Sequence, residues 1–229
     1  MSNSWFDTLG VFDLETTGID VETSRIVSAH VGVLNAAGEL VEKWNWLADP
    51  GVEIPAGASN VHGITTERAR AEGRPAAEVI AEIIDVLSSL FARGLAVTIY
   101  NAPYDLSLLY HEALRYGLTP LAEPAPIIDP LVLDKAVDRY RKGKRTLEAA
   151  AEFYGVDLVD AHDASADAVA AGRVAQAMAR LHPEELAVEA RLLHSRQVEW
   201  CAEQSADFQD YMRRTHNPDF TTSGLWPVR

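Results

Sequence analysis

The pattern of hydrophobic and polar residues predicts strands in three segments near the start of the chain. Residues 7–14 form a short apolar run, residues 25–34 are rich in β-branched residues, and residues 40–48 alternate cleanly. Alternation with a period of two is typical of strands. Because turn residues occupy 35–38, the second and third segments are expected to form a hairpin. The sheet is therefore predicted to begin with three antiparallel strands.

The later pattern alternates between helices and short strands. A loop rich in Pro and Gly is expected over 49–63, and apolar residues at helical spacing predict a helix over 76–92. Short buried strands are expected at 95–100 and 126–130. Further helices are predicted after Pro103, with Leu106, Leu109, Tyr110 and Leu114 on one side, after the second short strand, and over 146–154 and 164–181. This order predicts an α/β fold with a mixed sheet and helices on both faces.

The last part of the chain has a different character. Residues 184–214 contain neither Gly nor Pro, which favours one long helix. A narrow apolar stripe on this charged helix either packs along the core, which we favour, or forms the seam of a dimer. We therefore expect a domain over 1–182 and a C-terminal helical extension over 183–229, packed on the domain or on a partner. The stripe consists of Leu186, Leu193, Trp200, Phe208 and Met212.

Composition narrows the class of protein. Hydrophobic residues make up 48% and charged residues 24% of the 229, an ordinary globular balance. No apolar run approaches the ~20 residues of a membrane span, and the N-terminus lacks the layout of a signal peptide. A cytoplasmic location away from membranes is therefore expected. The single cysteine, Cys201, excludes an internal disulfide and a thiolate metal site.

Charge is strongly negative but uneven. The net charge of −14 argues against broad coating of nucleic acid, which needs many cationic contacts to phosphate. It is compatible with an enzyme that grips one strand end. Residues 139–145, RYRKGKR, hold five basic residues in seven. This run is either a solvated loop between helices or a substrate contact, and the charge pattern does not distinguish these two interpretations.

Acidic residues occur in three separate segments that suggest chemistry. Asp13 and Glu15 lie in FDLETTG, Asp105 in NAPYD, and Asp167 with His162 in HDASAD. Each carboxylate alone is explained by a helix cap or a surface charge, but a converging set would repel itself unless it held a cation. Carboxylate ligands suit Mg²⁺ or Mn²⁺ better than Zn²⁺. A histidine with a pKa of about 6.5 can accept a proton from water, so the set predicts two-metal phosphodiester hydrolysis.

Four motifs in order carry a resemblance to a known family. FDLETTG occupies 12–18, VHGIT 61–65, NAPYD 101–105 and HDASAD 162–167. In these motifs, over residues 7 to about 180, the chain resembles the DnaQ-like (DEDDh) family of 3′→5′ exonucleases. The resemblance implies a ribonuclease-H-like α/β fold with a mixed five-stranded sheet and helices on both faces. The long C-terminal helix lies outside this family core.

The resemblance also implies residue roles. Asp13, Glu15 and Asp167 would hold the metal ion at the attacking water, Asp13 would bridge to a second ion, and Asp105 would act partly through water. His162 would be the general base. Tyr100 stands where relatives often have His, which is expected to alter the rim of the pocket. The residues near the terminal nucleotide would be Leu14, Thr16, Thr17, His62 and Asn101.

The predicted function is a 3′→5′ exonuclease that uses two Mg²⁺ or Mn²⁺ ions. It would release 5′-mononucleotides from the 3′ end of single-stranded DNA or RNA. Two alternatives stay open: a catalytically weak nucleic-acid-binding module, and a two-metal phosphohydrolase of free nucleotides. The C-terminal helix would form the contact with a second copy of the chain or with a polymerase or repair partner. The motifs do not distinguish DNA from RNA.

Overall fold

The chain folds around one mixed β-sheet. A computed structural model describes residues 4–158 and 163–229, and within them six strands lie in the order β4-β3-β2-β1-β5-β6. The strands are β1 (Thr8–Thr16), β2 (Ile26–Asn35), β3 (Leu40–Asp49), β4 (Arg74–Pro75), β5 (Val97–Thr98) and β6 (Ile127–Ile128). β1 and β3 both pair antiparallel with β2, whereas β5 is parallel to β1 and β6 is parallel to β5.

Helices cover the sheet on both sides, which confirms the predicted fold class. They are α1 (Ala56–His62), α2 (Thr66–Glu72), α3 (Ala76–Ala92), α4 (Ala102–Arg115), α5 (Pro130–Val137), α6 (Leu147–Tyr154), α7 (Ala164–Leu181), α8 (Pro183–Leu186) and α9 (Ala190–Thr215). The bounds of α3 and α7 agree with the predicted helices. Compared with the predicted five strands, β4 adds a two-residue parallel pairing at the edge of β3.

The two faces of β1 enter different parts of the core. Even-numbered residues such as Phe12 and Leu14 belong to a cluster that includes buried side chains of α3 and α4. Odd-numbered residues such as Leu9 and Val11 pack with apolar residues of α7. Because successive side chains of a strand point to opposite faces, every odd residue of β1 faces the α7 side. That side includes Asp13 and Glu15.

Two local predictions were wrong, those of the loop over 49–63 and of the unbroken helix over 184–214. The expected loop over 49–63 contains α1, whose residues are all outside the buried core and whose end at Gly63 is left-handed (φ 74°). The predicted helix after Pro103 is present as α4, and of its four apolar residues Tyr110 and Leu114 are exposed. The expected helix over 184–214 is interrupted between α8 and α9, and its first turn forms the separate helix α8.

The C-terminal helices pack on the rest of this chain. Leu186 and Leu193 of the predicted stripe are fully buried, whereas Phe208 is half exposed. α9 contacts β6 and α5. The boundary at residue 182 and the seam with a second copy stay predictions. Among the described residues, no helix combines the length and apolarity needed to cross a membrane.

The basic run at 139–145 lies between α5 and α6, and two of its arginines bind a buried carboxylate. Asp134 is fully buried in α5, and its Oδ2 accepts hydrogen bonds of 2.6 Å from both Arg141 and Arg145. The Tyr154 hydroxyl donates to Oδ1 of the same carboxylate at 2.7 Å. Two arginines of the run therefore neutralise an internal acid. The run is a loop between two helices, as one of the two interpretations expected, and most of its residues are exposed. A substrate contact of the run stays a prediction, and it would use the exposed basic residues.

Candidate active site

β1 and α7 bring three of the predicted carboxylates together. Asp13 and Glu15 follow Leu9 and Val11 on the face of β1 that α7 covers. Asp167 lies in the first turn of α7. One carboxylate oxygen from each of Asp13, Glu15 and Asp167 lies within 4.8 Å of the others. The convergence follows from the alternation of β1 and from α7 running along that face.

This arrangement is electrostatically unfavourable without a cation. Burial raises the pKa of Asp13 well above its usual range, and the neighbouring Asp105, Glu15 and Asp167 raise it further. Burial, with Asp167 and Asp163, raises the pKa of Glu15 from 4.5 to about 8. A bound divalent cation would reverse these effects by favouring the ionised carboxylates. The donor set is made of carboxylate oxygens, so it fits a hard cation such as Mg²⁺ or Mn²⁺.

Asp105 approaches the cluster from the opposite face of the sheet. It lies one turn into α4, is 3% exposed, and accepts a 3.2 Å hydrogen bond from the backbone N–H of Leu14 through Oδ1. Burial raises the pKa of Asp105, while hydrogen bonds from its own N–H and that of Leu14 act against the increase. Asp105 therefore contacts β1 between Asp13 and Glu15, and it stands outside the group of three converging oxygens.

A cleft of about 530 Å³ opens beside Glu15. Its walls come from β2, β3, the α1–α2 region and the start of α7, and they include the cationic side chains Lys43 and Arg68. A larger cavity of about 670 Å³ lies between α5 and α9. The larger cavity contains none of the three clustered carboxylates, so the smaller cleft is the candidate substrate site.

Comparison with known proteins gives the family. The sequence model of the exonuclease family (RNase_T) matches residues 11–175, well over half of the chain. The chain belongs to this exonuclease family. The matched residues contain all of the converging carboxylates and the cleft beside them, and the predicted DnaQ-like resemblance is confirmed.

The named relatives of this chain are longer proteins that match it over part of their length. The chain is 28% identical over 165 residues to a DNA polymerase III PolC-type protein of Streptococcus thermophilus, covering 72% of this chain and 10% of that protein. It is 34% identical over 180 residues to a DNA polymerase III subunit epsilon-like protein of Rhodobacter capsulatus, covering 77% of this chain and 24% of that protein. The chain therefore spans only about a tenth to a quarter of these relatives.

Solved structures share the fold of the exonuclease domain. A structure of exonuclease I superimposes with a TM-score of 0.69 at 20% identity, covering 93% of this chain and 45% of that one. E. coli exonuclease I in complex with a dT13 oligonucleotide gives a TM-score of 0.67 at 21% identity, covering 78% and 42%. At these identities the likeness establishes the fold.

The predicted substrate residues at the end of β1 form hydrogen bonds with other parts of the chain. Leu14 uses its N–H to bind Asp105. The Thr16 hydroxyl donates to the Gly18 carbonyl at 2.8 Å, and the Thr17 hydroxyl accepts from the Arg25 N–H at 2.9 Å. Both threonine side chains are buried. The Thr17 N–H also donates to the Arg25 carbonyl at 3.0 Å, so both threonines are held in place by bonds within the chain.

The remaining predicted residues are placed differently. His62 ends α1, lines the cleft, and has a pKa lowered mainly by burial. Asn101 precedes α4 in a left-handed conformation (φ 61°), and its side chain makes no capping hydrogen bond. The Tyr100 hydroxyl donates to the Arg145 carbonyl at 2.8 Å, so it ties β5 to the basic run. The proposed base, His162, lies outside the described residues.

Two residues near the site carried weaker signals in the sequence. Asp163 caps α7 by accepting from the N–H groups of Ser165 and Ala166, and it adds negative charge beside Glu15. Tyr104 donates from its hydroxyl to the Gly18 carbonyl at 2.7 Å and contacts the Thr16 hydroxyl. Tyr104 directly precedes Asp105 in NAPYD, and only this position in the motif could have identified it.

Proposed function

We propose that this protein is a 3′→5′ exonuclease that hydrolyses single-stranded nucleic acid with two divalent metal ions, Mg²⁺ or Mn²⁺. The observation that carries the proposal is the convergence of Asp13, Glu15 and Asp167 within 4.8 Å beside an open cleft. Membership of the exonuclease family supports the reaction class. Bringing these three carboxylates together costs folding free energy unless a cation is bound between them.

The residues of the site would have separate roles in metal binding and proton transfer. Asp13, Glu15 and Asp167 would hold the ions, with Asp105 contributing from α4. Bound divalent ions supply charge stabilisation for the attacking and leaving oxygens of an in-line displacement. His162 would accept the proton from the attacking water. The water oxygen would form a bond to phosphorus while the bond between phosphorus and the 3′ oxygen breaks. The 3′ oxygen would take up a proton from solvent, which leaves a 5′-mononucleotide and a new 3′ hydroxyl on the shortened strand.

The nature of the strand is part of the proposal. Exonuclease I of E. coli has been crystallised with dT13 and dA16 oligonucleotides, which supports a single-stranded substrate for this fold. Lys43 and Arg68 line the cleft in a chain whose net charge is −14, so they are candidates for contacts to phosphate. Relatives named as DNA polymerase III proteins support a polymerase or repair partner.

One assay tests the proposal. The protein is incubated with 5′-labelled single-stranded DNA, RNA and a dinucleotide, and separately with nucleoside triphosphates, with Mg²⁺ or Mn²⁺. We expect stepwise shortening from the 3′ end, with mononucleotide products, and loss of this activity in Asp13→Ala and His162→Ala. Release of mononucleotides by Asp13→Ala at the rate of the wild type would refute the proposal.

The same assay separates the alternatives. Turnover of nucleoside triphosphates without shortening of any strand would identify a phosphohydrolase of free nucleotides. Strand binding without hydrolysis, together with an unfolding temperature that does not respond to Mg²⁺ or Mn²⁺, would identify a binding module.

A further inference from the structure

Asp129 has no assigned role, yet it forms one of the densest hydrogen-bond groups in the described structure. It follows β6 and is 1% exposed. Its Oδ1 accepts from the N–H groups of Asn101 (2.9 Å) and Leu131 (3.0 Å). Its Oδ2 accepts from the N–H of Ala102 (3.0 Å) and from the Trp226 indole (3.3 Å). Each carboxylate oxygen of Asp129 therefore accepts hydrogen bonds from two segments that are far apart in the sequence.

Two of these bonds cap α4 from outside the helix. Asn101 is the residue before the helix and Ala102 is its first residue, so their N–H groups belong to the unpaired donors of a helix start. The side chain of an N-cap residue usually accepts from the N–H of the second or third helical residue. The Asn101 side chain makes no capping bond, and Asp129 instead binds the N–H groups of Asn101 and Ala102, which places its carboxylate at the positive end of the helix dipole. The left-handed backbone of Asn101 is held by the same contact.

The C-terminal segment, residues 183–229, closes on Asp129 from the other side. Gln197 of α9 is fully buried, and its Oε1 accepts from the Asp129 N–H at 2.7 Å while its Nε2 donates to the Ile127 carbonyl at 2.9 Å. Trp226 is 6% exposed and packs beside His194 with ring centroids 4.9 Å apart. The C-terminal segment therefore fixes both the backbone and the carboxylate of Asp129.

α4 connects Asp129 to the cation site, because the start of this helix binds Asp129 and its first turn carries Asp105. Asp105 lies in the first turn after Asn101 and Ala102, and its carboxylate binds the Leu14 N–H between Asp13 and Glu15. We infer that Asp129 is a positioning residue through which Gln197 and Trp226 of the C-terminal segment set the position of Asp105 at the cation site. This inference rests on the proposed function, because it assumes that Asp105 helps to bind the metal. Residues that orient ligands in this way typically change metal affinity about 10–100-fold when they are replaced.

Calorimetric titration with Mn²⁺ tests the inference without relying on catalysis. The proteins compared are the wild type, Asp129→Asn, Asp105→Asn and the double variant. We expect Asp129→Asn to weaken Mn²⁺ binding about 10-fold or more. Because Asp129 acts through Asp105, the double variant should bind Mn²⁺ as Asp105→Asn does. Unchanged affinity in Asp129→Asn, or fully additive losses in the double variant, would overturn the inference.

A milder pair of variants covers the case in which Asp129→Asn does not fold. Trp226→Phe keeps a buried aromatic ring and removes the indole N–H, so it should weaken Mn²⁺ binding roughly 2- to 10-fold, the range that one hydrogen bond supplies. Trp5→Phe is the matched control, since the Trp5 indole is also buried and donates to the Leu186 carbonyl at 2.9 Å. Trp5→Phe should leave Mn²⁺ affinity unchanged. Equal effects of the two substitutions would contradict the inference.

The outcomes also separate this inference from the proposed function. If the wild type neither binds Mn²⁺ nor shortens a strand, the proposed function is wrong. If Asp105→Asn weakens Mn²⁺ binding while Asp129→Asn and Trp226→Phe do not, the proposed function stands and only the positioning role is wrong.

Discussion

Gly172 of α7 lies so close to Val11 of β1 that a Cβ on the glycine would be 2.5 Å from the Cγ1 of Val11. The same Cβ would be 2.6 Å from Cδ1 of Leu34 on β2. Only a residue without a side chain allows the helix to approach the sheet this closely. Since Asp167 stands five positions earlier on α7, this contact helps to set its distance from Asp13 and Glu15.

Replacing Gly172 by Ala should therefore affect both stability and the cation site. The added methyl group must displace the Val11 and Leu34 side chains or move α7 away from β1, and overpacking of this kind costs about 1–3 kcal/mol. We expect a lower free energy of unfolding in urea and weaker Mn²⁺ binding by calorimetry. Gly57→Ala is the control, because a Cβ there meets no atom within 4 Å. Gly57→Ala should be neutral or slightly stabilising, and an equal loss in both variants would contradict this explanation.

Removing one carboxylate should stabilise the metal-free protein. Burial, together with Asp105, Glu15 and Asp167, disfavours the ionised form of Asp13, and Asp13→Asn replaces this carboxyl by a neutral amide. In EDTA its unfolding temperature should rise by about 2–4 °C, the change that about 1 kcal/mol produces in a domain of this size. Nuclease activity should fall by more than about 100-fold, because a metal ligand is lost. The exposed Asp85→Asn serves as the control and should change neither quantity; a destabilised Asp13→Asn in EDTA would disprove the repulsion argument.

Stability should depend on pH through Glu15. The folded protein raises the pKa of Glu15 from 4.5 to about 8, so it binds this proton more tightly than the unfolded chain does. The resulting stabilisation is complete below about pH 4.5 and is lost as the pH rises to about 8. In EDTA the unfolding temperature should fall between pH 5 and 8.

Added Mg²⁺ should change this profile in a defined direction. Metal binding requires ionised carboxylates, so the increase in unfolding temperature caused by Mg²⁺ should be larger at pH 8 than at pH 5.5. Thermal unfolding followed by circular dichroism at both pH values measures it. In Glu15→Gln the decline in EDTA should be shallower. A larger Mg²⁺ effect at pH 5.5 than at pH 8 would rule out a carboxylate cation site of this kind.

The basic run should matter for stability through only two of its members. Asp134→Ala leaves Arg141 and Arg145 without their buried partner, which typically costs about 3–5 kcal/mol. Lys142→Ala with Lys144→Ala, at exposed positions, should change the free energy of unfolding by no more than about 0.5 kcal/mol. Urea unfolding distinguishes the two cases. An increase in KM for an oligonucleotide in the lysine variant would assign the substrate contact to these exposed residues.

Local patterns predicted the elements well where the pattern was long. The apolar spacing over 76–92 and the alanine-rich segment over 164–181 correspond to α3 and α7. Predictions failed where they relied on the presence or absence of Gly and Pro. Pro and Gly around α1 suggested a loop, and the absence of both residues from 184–214 concealed the break between α8 and α9. The break occupies residues 187–189, directly after the fully buried Leu186.

The motifs identified the family and the candidate ligands because each motif is a local stretch of sequence. Which carboxylates meet depends on distances between elements that are far apart in the chain. Asp13, Glu15 and Asp167 converge because they lie on one side of the sheet, whereas Asp105 reaches β1 from the other side. The role of Asp129 is likewise visible only once β6, α4, α9 and the tail are packed together. Strand register and helix packing set these contacts, and no single segment encodes them.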